Sequence, residues 1–449
     1  DCSKNINCKN LPSLRRNIVY QFLYELLIVF IPLFTIPYVS RVLGAENIGL
    51  FSYTYAVANY FVLFANLGIK NYGSRTIAMV RNNKEELNRN FSEILSIHII
   101  FSIIVIFVYL VLLFFFVEDN LVIFLIQSIY VFAAVFDINW FFFGIEKFKL
   151  TVGRNTLVKI LSVFLVLVFV KTQTDLWIYA LILALSVFVG QSVVWFALKQ
   201  YVSWRRPSWA NMKQHIRPLF VLFLPILALS LYKYMDKIML GSISSNVQVG
   251  FYENAEKIIN VPMSLIMAFG VVLMPRIANM VTSKDKGEVF KLIDMSMEAV
   301  MLLAIAISFG LAGISFVLAP IFFGYEFEEC GILIMGLAVT VPFMAFANVI
   351  RTQYLIPYKE DKIFVVSLFL GAAVNLIVNI ILIPYMAARG AVIGTIFAEI
   401  IVCIYQSYFV RKKIFIKKQV VSAASYLCDP TNGYDHIFAF YDQQCIVKI

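Results

Sequence analysis

The stretch from Ile94 to Val117 reads ILSIHIIFSIIVIFVYLVLLFFFV and contains no Asp, Glu, Lys or Arg. A helix of these 24 residues is about 36 Å long, whereas the hydrocarbon core of a bilayer is about 30 Å thick. An uncharged apolar run of that length is typical of a membrane-spanning helix. The stretch therefore predicts that the chain is a membrane protein.

The composition of the whole chain extends this prediction beyond the one stretch. Of its 449 residues, 61% are hydrophobic and 14% are charged, and the mean hydropathy is +0.84. Soluble domains are about 45–50% apolar and about 25% charged. The composition therefore excludes a cytosolic enzyme, a secreted disulfide scaffold and a nucleic-acid-binding domain.

Apolar runs between clusters of charge predict about twelve spans, and hence an all-α polytopic membrane protein. The predicted spans lie at 17–40, 47–69, 91–117, 121–144, 153–170, 176–198, 218–240, 247–274, 292–319, 330–350, 363–384 and 390–410. We expect two lobes of six helices each, because the connections are short. The predicted domains are a cytoplasmic N-terminal segment (1–16), an N-lobe (17–198), a cytoplasmic linker (199–217), a C-lobe (218–410) and a cytoplasmic basic segment with an irregular tail (411–449).

The distribution of basic residues predicts the orientation of these spans. With the N-terminus and every even-numbered connection on one side, that side holds 29 of the 37 Lys and Arg residues. The opposite side holds Arg41, Lys171 and Arg389. Basic residues concentrate in cytoplasmic loops, so both termini are expected in the cytoplasm. The net charge of +10 then needs no nucleic-acid partner to explain it.

The chain also resembles itself at an offset of about 200 residues. Leu43-Gly44 and Ile48-Gly49 in the first half correspond to Leu240-Gly241 and Val249-Gly250 in the second. Matches in the same order indicate an internal repeat, and an even number of spans per half gives the halves the same orientation.

Charged residues inside apolar spans form two helical stripes. The seventh span carries Lys233, Asp236 and Lys237 at spacings i, i+3 and i+4, and the eighth carries Glu253, Glu256 and Lys257 in the same pattern. Ionisable groups within a membrane usually face a partner or a water-filled cavity. Two interpretations stay open, namely structural ion pairs that tie helices together and a polar cavity between helices.

Further ionisable residues interrupt other apolar spans: Glu25 in the first, Asp137 in the fourth, Lys159 in the fifth and Glu399 in the twelfth; Glu25 and Asp137 are the two considered for coupling. A carboxylate in such surroundings is a candidate to carry a proton or a sodium ion, and a hydrogen bond to a neighbouring helix is the alternative. The six cysteines and three histidines show no metal-ligand spacing, and no phosphate-binding Walker loop is present. We therefore expect no metal, no cofactor and no ATP-driven transport by this chain.

A group of short motifs is spread along the chain: IPYVSRVLG at 36–44, NIGLF at 47–51, LGI at 67–69, YGSR at 72–75, DKIMLG at 236–241, GFYENAEK at 250–257, MPR at 274–276, YLIP at 354–357 and GTI at 394–396. As a group, these motifs resemble the bacterial polysaccharide repeat-unit flippases of the Wzx type. They run through residues 15–415. The tail after residue 418 does not resemble the family's end, and a truncated or frame-shifted C-terminus is one interpretation of it.

The resemblance implies the multidrug/oligosaccharidyl-lipid/polysaccharide exporter (MOP) fold of MATE-like transporters, with two six-helix lobes around a central cavity. It also implies a flippase, and not an enzyme, in the bacterial plasma (inner) membrane. The implied cargo is an undecaprenyl-pyrophosphate-linked oligosaccharide for O-antigen, capsule or exopolysaccharide assembly. A glycan polymerase and chain-length machinery are candidate partners, and the identity of the sugar does not follow from the sequence.

Under this interpretation, cations in the cavity would offset the desolvation of the pyrophosphate. The candidate cations are Lys233, Lys237, Lys257, Arg41 and Arg75. Asp236, Glu253 and Glu256 are their expected acidic partners, and Asp137 and Glu25 are the candidates for ion coupling. The alternatives are a cation-coupled multidrug exporter of the same superfamily and, less in keeping with the short external loops, a glycan polymerase.

Overall fold

The computed structural model describes residues 14–282 and 286–411, with side chains from residue 33 onward except at 148, 149, 152, 232 and 282–286. The predicted N-terminal segment up to residue 13 and the tail beyond residue 411 lie outside the described residues. Every regular element in the described part is helical.

The helices are α1 (Leu14–Asn66), α2 (Ile69–Val80), α3 (Lys84–Phe116), α4 (Leu121–Val135), α5 (Asn139–Gly144), α6 (Phe148–Phe169), α7 (Leu176–Leu198), α8 (Trp209–Ile243), α9 (Asn246–Thr282), α10 (Lys286–Phe323), α11 (Cys330–Ala338), α12 (Thr340–Val349), α13 (Asp361–Met386) and α14 (Ala388–Val410). Short 3₁₀ turns lie at Gln173–Asp175 and Tyr325–Phe327, and a π-helical segment, Ile350–Leu355, follows α12.

Ten stretches of the described residues are long and apolar enough to cross a membrane. One of these stretches, Leu33–Val80, combines part of α1 with α2. Helix α6 is not among the ten, and the structure does not describe several of its side chains. The chain is therefore a multi-pass, all-α membrane protein, and the predicted fold class is confirmed.

The described residues divide into two compact units. Unit 1 comprises residues 14–253 and Ala319–Glu329, and unit 2 comprises Asn254–Leu318 and residues 330–411. The predicted seventh span, now α8, thus belongs to unit 1. The division into two six-helix lobes stays a prediction.

Two buried apolar clusters can be described in unit 1 from residues whose side chains the structure describes. The larger joins α2, α3, α5, α7 and α8, and its centre is aromatic: the ring of Phe91 lies 5.6 Å from that of Trp140 and 4.9 Å from that of Phe141. The smaller joins α1, α3 and α4, where the hydroxyl of Tyr109 donates a 3.0 Å hydrogen bond to the carbonyl of Phe124. Packing between aromatic rings thus holds together helices that have little polar surface.

Helix α1 combines the first and second predicted spans and is interrupted at one residue. Gly44 has φ +76° and ψ 171°, a conformation that L-residues with a side chain rarely adopt. After this kink the amide of Ala45 donates a 2.8 Å hydrogen bond to Oε1 of Glu326, which satisfies a backbone donor freed by the break. The connection predicted at residues 41–46 is therefore a kink and not a loop.

Glycines aligned by the internal repeat lie against each other in unit 1. A Cβ added to Gly49 would lie 2.8 Å from the amide nitrogen of Gly250, and a Cβ added to Gly250 would lie 3.2 Å from that of Gly49. The same additions would also meet the backbone of Asn246 and Ala45. The backbones of α1 and α9 can approach this closely only because neither residue has a side chain.

In unit 2, small residues of α14 allow close packing against α11 and α13. A Cβ added to Gly390 would lie 2.7 Å from the backbone of Leu382, and one added to Gly394 would meet the side-chain oxygen of Asn379. Asn379 donates a 3.1 Å hydrogen bond to Asn375 one turn earlier. This packing is typical of membrane helices, whose association depends on close contact and on hydrogen bonds between side chains.

Candidate functional site

The two charged stripes meet where α8 and the first turns of α9 pack within unit 1. Only Ser244 and Ser245 separate these helices, so residues at similar distances from the turn face each other. The Nζ atom of Lys237 lies 2.8 Å from Oε2 of Glu253, and their side chains are 8% and 16% exposed. The structure thus joins one predicted cation to one predicted acidic partner across the two helices.

Asp236, beside this ion pair, is buried as well. Its Oδ2 accepts a 2.6 Å hydrogen bond from the hydroxyl of Tyr252, the residue that precedes Glu253. A buried charge is costly unless other groups satisfy it, and hydrogen bonds to a carboxylate are among the stronger ones. The position of Tyr252 could not be derived from the charge pattern, because tyrosine carries no charge.

Lys233 differs from Lys237 because its side chain is exposed. Its Nζ atom lies 5.3 Å from the ring centroid of Tyr234, a cation–π distance that leaves the ammonium group accessible. The charge of Lys237 is compensated at 2.8 Å by Glu253, whereas Lys233 presents its charge outward. Of the predicted cations on α8, Lys233 is therefore the better placed to meet an anion.

Tyrosines surround this charged group in unit 1. Tyr55 lies edge-on to Tyr130, with ring centroids 5.2 Å apart, and Tyr60 lies 5.9 Å from Tyr234 in the same manner. Tyr55 is also within electrostatic reach of Lys233 and Glu253. Tyrosine combines an apolar face with a hydroxyl group, so the surroundings can contact both faces and edges of a polar ring. The prediction from the charges alone did not identify these tyrosines.

Glu256 and Lys257 follow one turn after Glu253 on α9 and belong to unit 2. Both side chains are half-buried. Their predicted roles as a cavity carboxylate and a cavity cation stay predictions.

Arg41 anchors the end of the first part of α1. Its Nη2 atom donates a 2.5 Å hydrogen bond to the carbonyl of Ile321, in the segment 319–329 that belongs to unit 1. The side chain is otherwise exposed. One function of Arg41 is thus structural, and its predicted role as a cation near a mouth of the cavity stays a prediction.

Asp137 lies in a break between α4 and α5, within what the sequence predicted as one continuous span. Its Oδ1 accepts hydrogen bonds from the backbone N (3.0 Å) and the side-chain Nδ2 (2.7 Å) of Asn139. Asn139 in turn donates to Gln191 at 2.8 Å and accepts from Arg154 at 3.1 Å. Asp137 therefore orders a polar network between helices, and its role in ion coupling stays a prediction.

The other coupling candidate, Glu25, lies in α1. Its side chain lies outside the part of the chain whose side chains the structure describes, so its role also stays a prediction.

Arg75 lies away from the charged group on α8 and α9. It lines a cavity of about 650 Å³ within unit 1, together with Arg89 of α3 and Arg217 of α8. The sequence had placed Arg89 and Arg217 among the cytoplasmic basic residues only. Arg75, Arg89 and Arg217 all lie in predicted connections on the cytoplasmic side, a shared location that could have grouped them.

Comparisons with known proteins agree with this architecture. The family described as "Polysaccharide biosynthesis protein" matches residues 14–281. Two relatives carry the name "Putative O-antigen transporter". The one from Shigella dysenteriae is 24% identical over 407 residues, which cover 87% of this chain and 98% of the relative. The one from Escherichia coli (strain K12) is 26% identical over 409 residues, which cover 90% and 98%.

Among solved structures, the chain is similar to the lipid II flippase MurJ in an inward closed conformation, with a TM-score of 0.71 and 15% identity over 97% of this chain and 94% of that one. At such an identity the likeness shows the fold alone. An inward-facing MATE family transporter of the MOP superfamily matches with a TM-score of 0.66 and 14% identity, over 89% and 99% of the two chains. The predicted MOP fold and the resemblance to polysaccharide flippases are thus confirmed. With a match over more than half of its length, the chain belongs to the polysaccharide biosynthesis protein family.

Proposed function

We propose that this chain is a flippase that moves undecaprenyl-pyrophosphate-linked oligosaccharide repeat units across the bacterial plasma membrane. The observation that carries the proposal is similarity over nearly the full length of two relatives named as O-antigen transporters, 98% of each. A match of this extent spans almost the whole length of each relative and does not rest on one shared motif.

The charged group on α8 and α9 gives the proposal a site. A pyrophosphate that leaves the headgroup layer loses hydration, and a nearby cation offsets part of that loss. Lys233 is exposed and supplies such a cation, while Glu253 compensates the charge of Lys237 at 2.8 Å. The paired acid and base would keep the site from binding the cargo too tightly to release it.

The tyrosines near this group suit the sugar part of the cargo. The C–H faces of sugar rings pack on aromatic faces, and tyrosine hydroxyls offer hydrogen bonds to sugar hydroxyls. Tyr55, Tyr130, Tyr60 and Tyr234 form two edge-on pairs in unit 1. Tyr130 is buried, so the half-buried rings of Tyr55, Tyr60 and Tyr234 are the ones that would contact a sugar.

The resemblance to polysaccharide flippases implies the direction of transport, in which the cargo moves from the inner to the outer leaflet of the plasma membrane. An inside-negative potential favours outward movement of an anion by about 2.3 kcal/mol per charge per 100 mV. The potential alone can therefore drive the step, and alternating exposure of the site to the two sides would complete the cycle. A glycan polymerase that uses the delivered units would be a natural partner.

A multidrug exporter is the alternative within the same fold. Similarity to MATE structures at 14% identity supports the fold alone, so no specific observation favours that function for this chain. A polymerase is the alternative outside the transporters, and the relatives named as transporters give no support for it.

Deletion of the gene in its own host would test the proposal. We expect surface polysaccharide to be lost and the lipid-linked oligosaccharide to accumulate in the inner leaflet, with both defects reversed by the wild-type chain. A deletion strain with normal surface polysaccharide and an altered susceptibility to cationic drugs would favour the exporter and contradict the proposal.

A further inference from the structure

The arginine-lined cavity between α2, α3 and α8 is separate from the charged group on α8 and α9. Arg75, Arg89 and Arg217 come from three different helices, and all three side chains are exposed. Among the described residues, none of the three has a carboxylate within 4 Å. The residues that line the cavity include no Asp or Glu. Within the part of the chain that the structure describes, no carboxylate thus neutralises the positive charge of the cavity.

The wall of the cavity is a buried chain of hydrogen bonds. The hydroxyl of Tyr72 lies 2.6 Å from Nδ1 of His215, and Nε2 of His215 lies 2.9 Å from Oε2 of Glu93. Asn211 donates to the other oxygen of Glu93 at 3.1 Å. The side chains of His215 and Glu93 are 3% and 1% exposed. Glu93 is therefore engaged behind the wall, and the wall has a fixed shape because its polar atoms are bonded to one another.

The same cavity has polar and apolar parts. Thr76, Asn90 and Gln214 add uncharged polar groups beside the arginines. Met79 and Val221 line it as well, and they are 69% and 58% exposed. Guanidinium groups bind phosphate oxygens through paired hydrogen bonds, which makes arginine well suited to phosphate recognition. Exposed apolar side chains beside such a site suit a phosphate that is attached to a lipid chain.

We propose that this cavity is a loading site for the diphosphate group of a membrane lipid, bound by Arg75, Arg89 and Arg217 before the cargo reaches Lys233. The inference deepens the proposed function, because it assumes that the cargo is diphosphate-linked. It also uses the predicted orientation, which places these arginines at the cytoplasmic end of their helices, where the cargo is made.

Binding measurements on the full chain in nanodiscs of phosphatidylcholine test the proposed loading site without measuring transport. The probes are farnesyl diphosphate, which joins a diphosphate to an isoprenoid chain, and inorganic pyrophosphate, and the readout is isothermal titration calorimetry. We expect Arg89→Gln and Arg217→Gln each to weaken farnesyl diphosphate binding about tenfold, or about 1.4 kcal/mol, because each removes one charged hydrogen-bond donor to the diphosphate. Arg206→Gln removes an exposed arginine that does not line the cavity, so it serves as the matched control with unchanged affinity.

The arms of the experiment distinguish the sources of the phosphate. Tighter binding of farnesyl diphosphate than of pyrophosphate, with both reduced by Arg89→Gln, supports a lipid diphosphate site. Equal affinities for the two probes would overturn the assignment to a lipid. Competition by phosphatidylglycerol nanodiscs as strong as that of farnesyl diphosphate would overturn the assignment to a diphosphate.

A conservative variant serves as the control for effects of the substitutions on folding. Arg89→Lys keeps the charge and is expected to retain part of the affinity, and all variants are compared by size-exclusion chromatography. Unchanged binding by correctly folded Arg89→Gln and Arg217→Gln chains would refute the loading site. If farnesyl diphosphate binds through these arginines but transport of lipid-linked oligosaccharide fails, the loading site stands and the proposed function does not.

Discussion

Replacement of Glu253 by Gln would remove one charge of the Lys237–Glu253 pair while keeping the shape of the side chain. At 2.8 Å and an effective dielectric constant of about 20, two unit charges attract each other by about 6 kcal/mol. The variant no longer has to bury a carboxylate, and its amide oxygen still accepts a hydrogen bond. Part of the lost attraction between the two charges is therefore recovered. We expect a loss of about 3 kcal/mol in the free energy of unfolding, in the range typical for breaking a buried pair.

The assay is equilibrium unfolding of the purified chain in mixed micelles, with Glu46→Gln as the control. Glu46 is an exposed glutamate of α1, so its replacement is expected to change stability by less than about 0.5 kcal/mol. The double variant Lys237→Met/Glu253→Gln removes both charges and is expected to recover most of the lost stability. A Glu253→Gln chain as stable as the parent would refute the reasoning that the pair lies in low-dielectric surroundings.

The double variant also separates the two interpretations of the charged stripes. If the pair only ties α8 to α9, a stable double variant transports at the parental rate. If the pair tunes the binding of the anionic cargo, transport falls although stability is retained.

Three further predictions address the fold and the coupling. Gly49→Ala should lower the melting temperature strongly, because its Cβ would meet the α9 backbone. Gly310→Ala is the control, because the space around its Cβ is open. Equal melting temperatures of the two variants would contradict the close approach of α1 and α9. Glu326→Ala should cost about 1–2 kcal/mol in the free energy of unfolding, because the amide of Ala45 loses its acceptor, and an unchanged value would show that water replaces it. Asp137→Asn keeps the acceptor for Asn139 but removes the charge. In vesicles at clamped potential, this variant should abolish any dependence of transport on a proton or sodium gradient. Full gradient dependence would exclude Asp137 from coupling.

Most of the fold could be predicted from the sequence because apolar length and the distribution of charge are strong signals in a membrane protein. What the sequence did not predict is how the helices are interrupted, by a kink at Gly44 and by a break at Asp137. The kink at Gly44 depends on Glu326, a residue far along the chain that accepts the hydrogen bond from Ala45. The break at Asp137 depends on Asn139 and its hydrogen bond to Gln191 on another helix. Neither partner can be identified from the local pattern of hydrophobic residues.

The candidate site was predictable only within each helix. The spacing of Asp236 and Lys237 placed them on one helical face, but their contacts with Tyr252 and Glu253 depend on how α8 and α9 are rotated about their axes. The arginine cavity was missed for a similar reason: Arg75 and Arg89 lie in one predicted connection, but Arg217 is far along the chain and joins them only when α8 packs against α2 and α3.

Translocation by the purified chain in unilamellar vesicles tests the central claim most directly. The vesicles contain a fluorescent undecaprenyl-pyrophosphate-linked oligosaccharide and an inside-negative potential, and an external lectin reports the fraction of glycan that reaches the outer leaflet. We predict that this fraction rises faster than in protein-free vesicles and that Lys233→Ala, at equal protein abundance, slows the rise. A wild-type rate no greater than that of protein-free vesicles would contradict the account.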